Sequence, residues 1–268
     1  MKKNRLIPVL LLKDGYIVQS KLFAKHQDLG NPVTSVQRLS AWASDELIYL
    51  DISRGGKYRS DRDDKKQRGL NTPLEVLEEI SKVCFMPLTF GGRIRSLQDI
   101  EDRLKRGADK ISINTQALRE PEFITQAAKE FGSQCIVVSI DVKKVDGDHV
   151  VMTGYGQETT SLKPLDWAKQ VESLGAGEIL LNSIDHDGMR MGYDLPVLDL
   201  VSTNVQVPVI ALGGVGDWWD FGDALDETNV DAVAAANIFH YYDQSVHVAK
   251  KYLHDNGYNV RPPDLISA

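Results

Sequence analysis

The chain has 268 residues, 42% of them hydrophobic, which is enough for one continuous core. Its 38 acidic and 31 basic side chains leave a formal net charge of −7, which excludes the basic footprint of a nucleic-acid-binding face. The opening MKKNRLIPVLLLKDG joins basic residues to an apolar run that is too short to cross a bilayer, so it reads as a first strand, and the protein as cytoplasmic with no membrane partner.

Short apolar runs then alternate with amphipathic segments to the end of the chain. Strands are predicted at 5 to 12, 46 to 52, 85 to 90, 109 to 113, 134 to 141, 177 to 183, 207 to 212 and 230 to 235. Helices are predicted near 33 to 44, 73 to 83, 96 to 106, 119 to 131, 163 to 174, 195 to 203, 217 to 226 and 244 to 254. The stretch VDGDHVVMTGYG at 145 to 156 reads as a β-hairpin after the fifth strand. Eight strand and helix units fit a single (β/α)8 barrel over 1 to 268 better than an open doubly wound sheet, which usually has fewer strands.

The halves, approximately 1 to 130 and 131 to 254, repeat each other. PLTFGG at 87 to 92 answers PVIALGG at 208 to 214, and Asn114 answers Asn237 at nearly equal spacing. Chemistry in a barrel belongs at the carboxyl ends of its strands. There stand Gly91, Gly92, Asn114 and Thr115 in the first half, and Asp187, Gly188, Gly213, Gly214, Ala236 and Asn237 in the second. Glycine lets backbone amides approach a phosphate, and a following helix start adds partial positive charge, so two cradles predict a phosphorylated small-molecule ligand. Tight turns without a ligand are the alternative reading. Cys84 and Cys135 adjoin strand-like runs and read as two buried free thiols. The six histidines lack metal-ligand spacing, and no metal or cofactor is expected. Trp218 and Trp219 beside Gly213-Gly214 read as packing residues.

A series of motifs recurs in order: RLIP from Arg5, KDG at 13 to 15, GNPV at 30 to 33, DELIYLDI at 45 to 52, FGGRI at 90 to 94 and GADKISINT at 107 to 115. FGSQ at 131 to 134, IDVKKVDG at 140 to 147, GAGEILLNSIDHDG at 175 to 188 and IFH at 238 to 240 complete it. Over essentially its full length the chain resembles the cyclase subunit of imidazole glycerol phosphate synthase. That family is a duplicated half-barrel which docks a glutaminase at its amino-terminal face. It passes ammonia through the barrel to a bis-phosphorylated nucleotide at the other face.

The resemblance implies roles for particular residues. Arg5, Glu46, Lys110 and Glu178 match the family's charged ring, an ammonia gate, and Asp109 and Gln134 match positions facing the glutaminase. Asp141 matches one of two catalytic carboxylates at the ends of strands one and five. Leu11 stands where the other is expected, and it can neither give nor take a proton. Arg93 replaces a third glycine, and its guanidinium suggests direct contact with an anion. The segment 53 to 71 is longer and more charged than the family's short second loop. These departures resemble a branch associated with acetamidino modification of surface-polysaccharide sugars, in which ammonia passes to a separate sugar amidotransferase. A synthase-like subunit channelling ammonia to such a protein is therefore the expectation. The alternatives are an authentic histidine-pathway cyclase, against which Leu11 argues, and a phosphate-binding scaffold, against which the charged ring argues.

Overall fold

The computed structural model describes residues 3 to 55, 58, 70 to 241 and 245 to 263. Most of the charged second loop, 56 to 57 and 59 to 69, lies outside them. Eight parallel strands close on themselves: β1 (Arg5–Lys13), β4 (Leu47–Asp51), β5 (Leu88–Gly91), β6 (Lys110–Ile113), β7 (Ile136–Val145), β10 (Glu178–Ser183), β11 (Val209–Leu212) and β12 (Ala232–Ala235). The ring is sealed where β12 pairs with β1, so the parallel barrel has no free edge. Four barrel strands come from each side of residue 131. The other strands, β2 (Tyr16–Lys21), β3 (Lys25–Gly30), β8 (Asp148–Thr153) and β9 (Glu158–Thr159), extend β1 and β7 as antiparallel hairpins.

Alternation along each strand divides the core in two. Leu6, Leu10 and Leu12 of β1 join the larger cluster beneath the helices, whereas Ile7, Val9 and Leu11 join Ile48, Val137, Leu180, Ile210, Ala232 and Ala234 inside the barrel. Helix starts follow local chemistry. Thr72 and Glu75 form a capping box on α2 (Pro73–Ser81), Ser96 and Asp99 another on α3 (Leu97–Leu104), and Asn31 caps α1 (Pro32–Ala41). Between α2 and β5 the chain turns through Phe85, whose side chain is exposed.

Two elements differ from expectation. The single helix expected at 119 to 131 is two, α4 (Thr115–Arg119) and α5 (Glu122–Phe131), separated at Pro121, because proline restricts the residue before it and donates no helical hydrogen bond. The β2–β3 hairpin was not foreseen. Its second strand, KHQDLG, is mostly exposed and so has no apolar alternation to reveal it. The hairpin over 145 to 156 is present as β7–β8, turning at Asp146-Gly147 with both residues at positive φ. Cys84 and Cys135 are half-buried rather than buried.

The remaining helices α6 (Pro164–Ser173), α7 (Leu195–Ser202), α8 (Trp219–Glu227) and α9 (Ser245–Asp255) complete the outer layer. Trp218, just before α8, stacks near Phe221 and Phe239, while Trp219 is exposed. α9 is fastened by Lys250, which is 0% exposed. Its ammonium donates to the Ala43 carbonyl at 2.8 Å and to Asp45 Oδ1 at 2.5 Å. The other Asp45 oxygen accepts from the Leu6 amide at 2.9 Å, tying the last helix to the start of β1. No helix among the described residues is long and apolar enough to cross a membrane.

Candidate functional site

The inward column of each strand can be followed from one end of the barrel to the other. At the amino-terminal mouth Arg5 Nη1 lies 2.6 Å from Glu46 Oε1 and 2.8 Å from Glu178 Oε1. Lys110 Nζ lies 3.1 Å from Glu46 Oε2 and 2.9 Å from Glu178 Oε2. Each carboxylate bridges both cations, so the four side chains close an alternating ring. Burial lowers the Arg5 pKa, but Glu178 and Glu46 outweigh it and leave the guanidinium raised, so its charge is permanent. Asp109 and Gln134, at the same end, are exposed. Asp109 caps the start of β5 by accepting from the Leu88 amide at 2.8 Å.

Above the ring the lining is uneven. Two-residue alternation places Thr89 of β5, Ser112 of β6 and Ser139 of β7 on the inward face, all buried. Opposite them stand Ile7, Val9, Ile48 and Ile210. These hydroxyls were not singled out from sequence, although counting in twos from Lys110 reaches Ser112 and then Asn114.

At the carboxyl end the polar side continues into Asp141. Its Oδ2 accepts from Asn114 Nδ2 at 2.8 Å and its Oδ1 from Asn182 Nδ2 at 3.2 Å. Asn182 is a second residue that sequence reading missed. Leu11 lies within the apolar part of the same rim, against Leu50, Ile52, Leu212 and Ala236. The rim is therefore divided, with hydrogen-bonding groups on β6, β7 and β10 and hydrocarbon on β11, β12, β1 and β4.

The Asp141 carboxyl retains some surface but lies deep among protein atoms. Burial pushes its pKa up to about 6, against the opposing hydrogen bonds from Asn182 and Asn114 and with a contribution from Asp187. Between the unfolded value near 4 and this raised value the folded chain binds more protons, so this residue's contribution to stability falls as pH rises through that window. Asp141→Asn is thus expected to raise the unfolding free energy at pH 7 by roughly 1–3 kcal/mol, with little gain at pH 4. Urea unfolding at the two pH values measures this, and an equal change at both would refute it.

The second-half residues converge. Asp187, Gly188, Gly213, Gly214, Ala236 and Asn237 line one concavity with Leu212, Val215 and Ala235. Asp187 is turned away from it in part: its Oδ2 accepts from Ser20 Oγ at 2.7 Å and from the Phe23 amide at 3.1 Å. Asn237 exchanges hydrogen bonds with the Ser20 backbone, so both residues hold the β2–β3 hairpin against the barrel rim. Gly214 has φ +111°, and a Cβ there would stand 1.9 Å from the Gly192 carbonyl oxygen. Close backbone packing thus demands glycine at this position with or without a ligand.

The first half differs. Gly92, with φ +100°, meets the Asp51 carbonyl in the same way, a Cβ standing 2.2 Å from its oxygen. Arg93 follows in the left-handed region at φ +56°. Its Nε lies 3.1 Å from Asp51 Oδ2 and its guanidinium 5.9 Å from the Tyr58 ring centroid. The charge expected to meet an anion is directed to a buried carboxylate instead. Asn114 is drawn to Asp141, and Thr115 opens α4 beside it.

The comparisons agree with this architecture. Residues 5 to 245 match the family model described as "Histidine biosynthesis protein". The chain is 42% identical over 263 residues to imidazole glycerol phosphate synthase subunit HisF of Staphylococcus carnosus (strain TM300), covering 97% of this chain and 99% of that protein. It is 43% identical to the HisF of Hydrogenobaculum sp. (strain Y04AAS1) and 41% to that of Chlorobium luteolum, in each case over 97% of this chain and 100% of the relative. With its parallel eight-stranded barrel and this full-length kinship, the chain belongs to the histidine biosynthesis protein family, among relatives of the HisF subunit of imidazole glycerol phosphate synthase.

Proposed function

We propose that the chain is the synthase subunit of a glutamine-dependent imidazole glycerol phosphate synthase. It receives ammonia from a HisH-type glutaminase seated on the amino-terminal face, where Asp109 and Gln134 contact the partner. Ammonia passes between Arg5, Glu46, Lys110 and Glu178 and along the inward hydroxyls to Asp141. There it is added to a bis-phosphorylated nucleotide, yielding imidazole glycerol phosphate and aminoimidazole carboxamide ribotide. The observation that carries this reading is the continuous polar column from the charged ring to Asp141, in a chain whose relatives over nearly full length are HisF subunits.

Each group has a task that its surroundings suit. The concavity at Gly213, Gly214, Ala236 and Asn237 takes one phosphate, and Gly91, Gly92, Arg93, Asn114 and Thr115 surround the other end of the acceptor. Asp141, with a pKa near 6, both accepts and returns a proton at neutral pH. Leu11 supplies nothing from the opposite side, so the reaction runs slowly.

Purified chain supplied with the histidine-pathway nucleotide and ammonium at alkaline pH is the direct test. Measurable turnover supports the reading, and none at high protein concentration overturns it. Gating is tested with Lys110→Met in the complex with glutaminase. That substitution leaves Glu46 and Glu178 with Arg5 alone. Glutamine-driven turnover is expected to fall about tenfold relative to ammonium-driven turnover, as removal of a charge-assisted hydrogen bond would give.

Leu11 also favours a second reading, in which the ammonia is handed to a separate sugar amidotransferase that modifies a polysaccharide sugar. Exposed apolar side chains on the carboxyl face, among them Leu22, Met189, Met191 and Trp219, suit a protein docked there. Absence of nucleotide turnover, with glutaminase activation retained, is the outcome that would favour it.

A further inference from the structure

Asn182 ends the inward column of β10, two residues beyond Leu180 and in register with both Asp141 and Leu212. It is 7% exposed. Its amide orientation is dictated by its neighbour, because the Asp141 carboxylate only accepts and so must face the NH2 group. The carbonyl Oδ1 is thereby turned the other way, toward Gly213, where a Cβ would stand 2.9 Å from it. That oxygen is buried and has no hydrogen-bond donor. A buried acceptor left without a partner costs about 1–3 kcal/mol, so its retention beside the one carboxylate of the rim calls for a ligand that donates.

We propose that Asn182 is a positioning residue that forms, with Asp141, the receiving station for ammonia at the end of the barrel interior. The NH2 group orients the Asp141 carboxylate, and the carbonyl accepts one N–H of the arriving molecule. This rests on the reading that ammonia travels the barrel. The chemistry fits a small donor with several N–H bonds: one to Asn182 Oδ1 and one to Asp141, leaving the nitrogen lone pair for attack on the acceptor. Asn114 holds the second carboxylate oxygen at 2.8 Å, and Asp187 is the other charged group acting on Asp141. Both favour a small cationic or N–H-donating visitor over an anion.

The test follows the Asp141 carboxyl by carbon-13 NMR in the full chain with labelled aspartate, its signal identified by loss in Asp141→Asn. Ammonium chloride, compared with sodium chloride at equal ionic strength, is expected to move the titration midpoint to lower pH, because a bound cation favours the ionised carboxylate. Asn182→Leu is expected to abolish the ammonium-specific part, and Asn182→Thr, which keeps an oxygen acceptor, to retain it. If Asn182→Leu does not fold, Asn182→Ala serves the same comparison. Equal shifts in the two salts, or an undiminished ammonium response without Asn182, would overturn the proposal. In any form of the chain that turns over, Asn182→Leu should raise KM for ammonium about tenfold while kcat stays within about threefold. A fall in kcat at constant KM would instead show a group that merely aligns Asp141, and would overturn the contact with ammonia. An intact ammonium response with no nucleotide turnover would refute the proposed function while leaving this station in place.

Discussion

Leu11→Asp is expected to raise kcat/KM for ammonium-dependent turnover of the histidine-pathway nucleotide by about 10²–10⁴-fold, the usual contribution of one positioned acid or base. Leu11 projects into the barrel interior at the carboxyl rim, from the strand on the far side of the rim from Asp141. A carboxylate there restores proton transfer on the face that Asp141 cannot reach. The substitution carries a penalty, since Leu11 is 9% exposed among Leu50, Leu212 and Ala236. Burial in that hydrocarbon raises the new carboxyl's pKa and costs about 1–3 kcal/mol of stability. A rise in turnover together with a lower melting temperature is therefore the signature. Unchanged turnover in a folded Leu11→Asp chain would show that more than this proton-transfer group has been altered, and would favour delivery of ammonia to another protein.

The largest expected loss of stability is at the other end of the barrel. Asp45→Ala removes the carboxylate that Lys250 reaches at 2.5 Å, that Arg261 approaches at 3.1 Å, and that accepts from the Leu6 amide. Lys250 is fully buried, and taking away one partner of a buried ion pair typically costs about 3–5 kcal/mol. For a chain of this size that corresponds to a fall in melting temperature of roughly 10 °C. Differential scanning calorimetry of the variant measures it directly. A fall of only a degree or two would mean that the Ala43 carbonyl and other contacts suffice to hold the ammonium. Because Asp45 adjoins Glu46 in sequence, the charged ring should loosen as well, and glutamine-driven turnover should suffer more than ammonium-driven turnover.

Much of this arrangement could be read along the chain. The eight strands occur within a few residues of their expected limits, because each is a buried apolar run bounded by turn residues, and burial on both faces leaves a strong local signature. The four members of the charged ring stand at strand starts, where charge next to an apolar run is conspicuous. Leu11 and Asp141 likewise close their strands, and alternation alone directs both inward. The β2–β3 hairpin escaped notice because KHQDLG is largely solvated and its strand form depends on pairing with β2. The division at Pro121 was visible as a proline but was outweighed by the apolar periodicity around it.

What the sequence determined by itself was the barrel, its repeated halves, the kinship, and the absence of one expected carboxylate, all of which depend on local pattern or on residue identity at a strand position. What only the tertiary structure decided was pairing between residues distant in the chain. Arg93 turns to Asp51 rather than toward a ligand, Asp187 and Asn237 clasp the first hairpin at Ser20, and Asn182 grips Asp141 while its carbonyl is left unmet. Such contacts depend on the stagger between neighbouring strands and on where a side chain's last hydrogen-bonding atom comes to rest. Both are set when the sheet closes, and no periodicity in the chain encodes them.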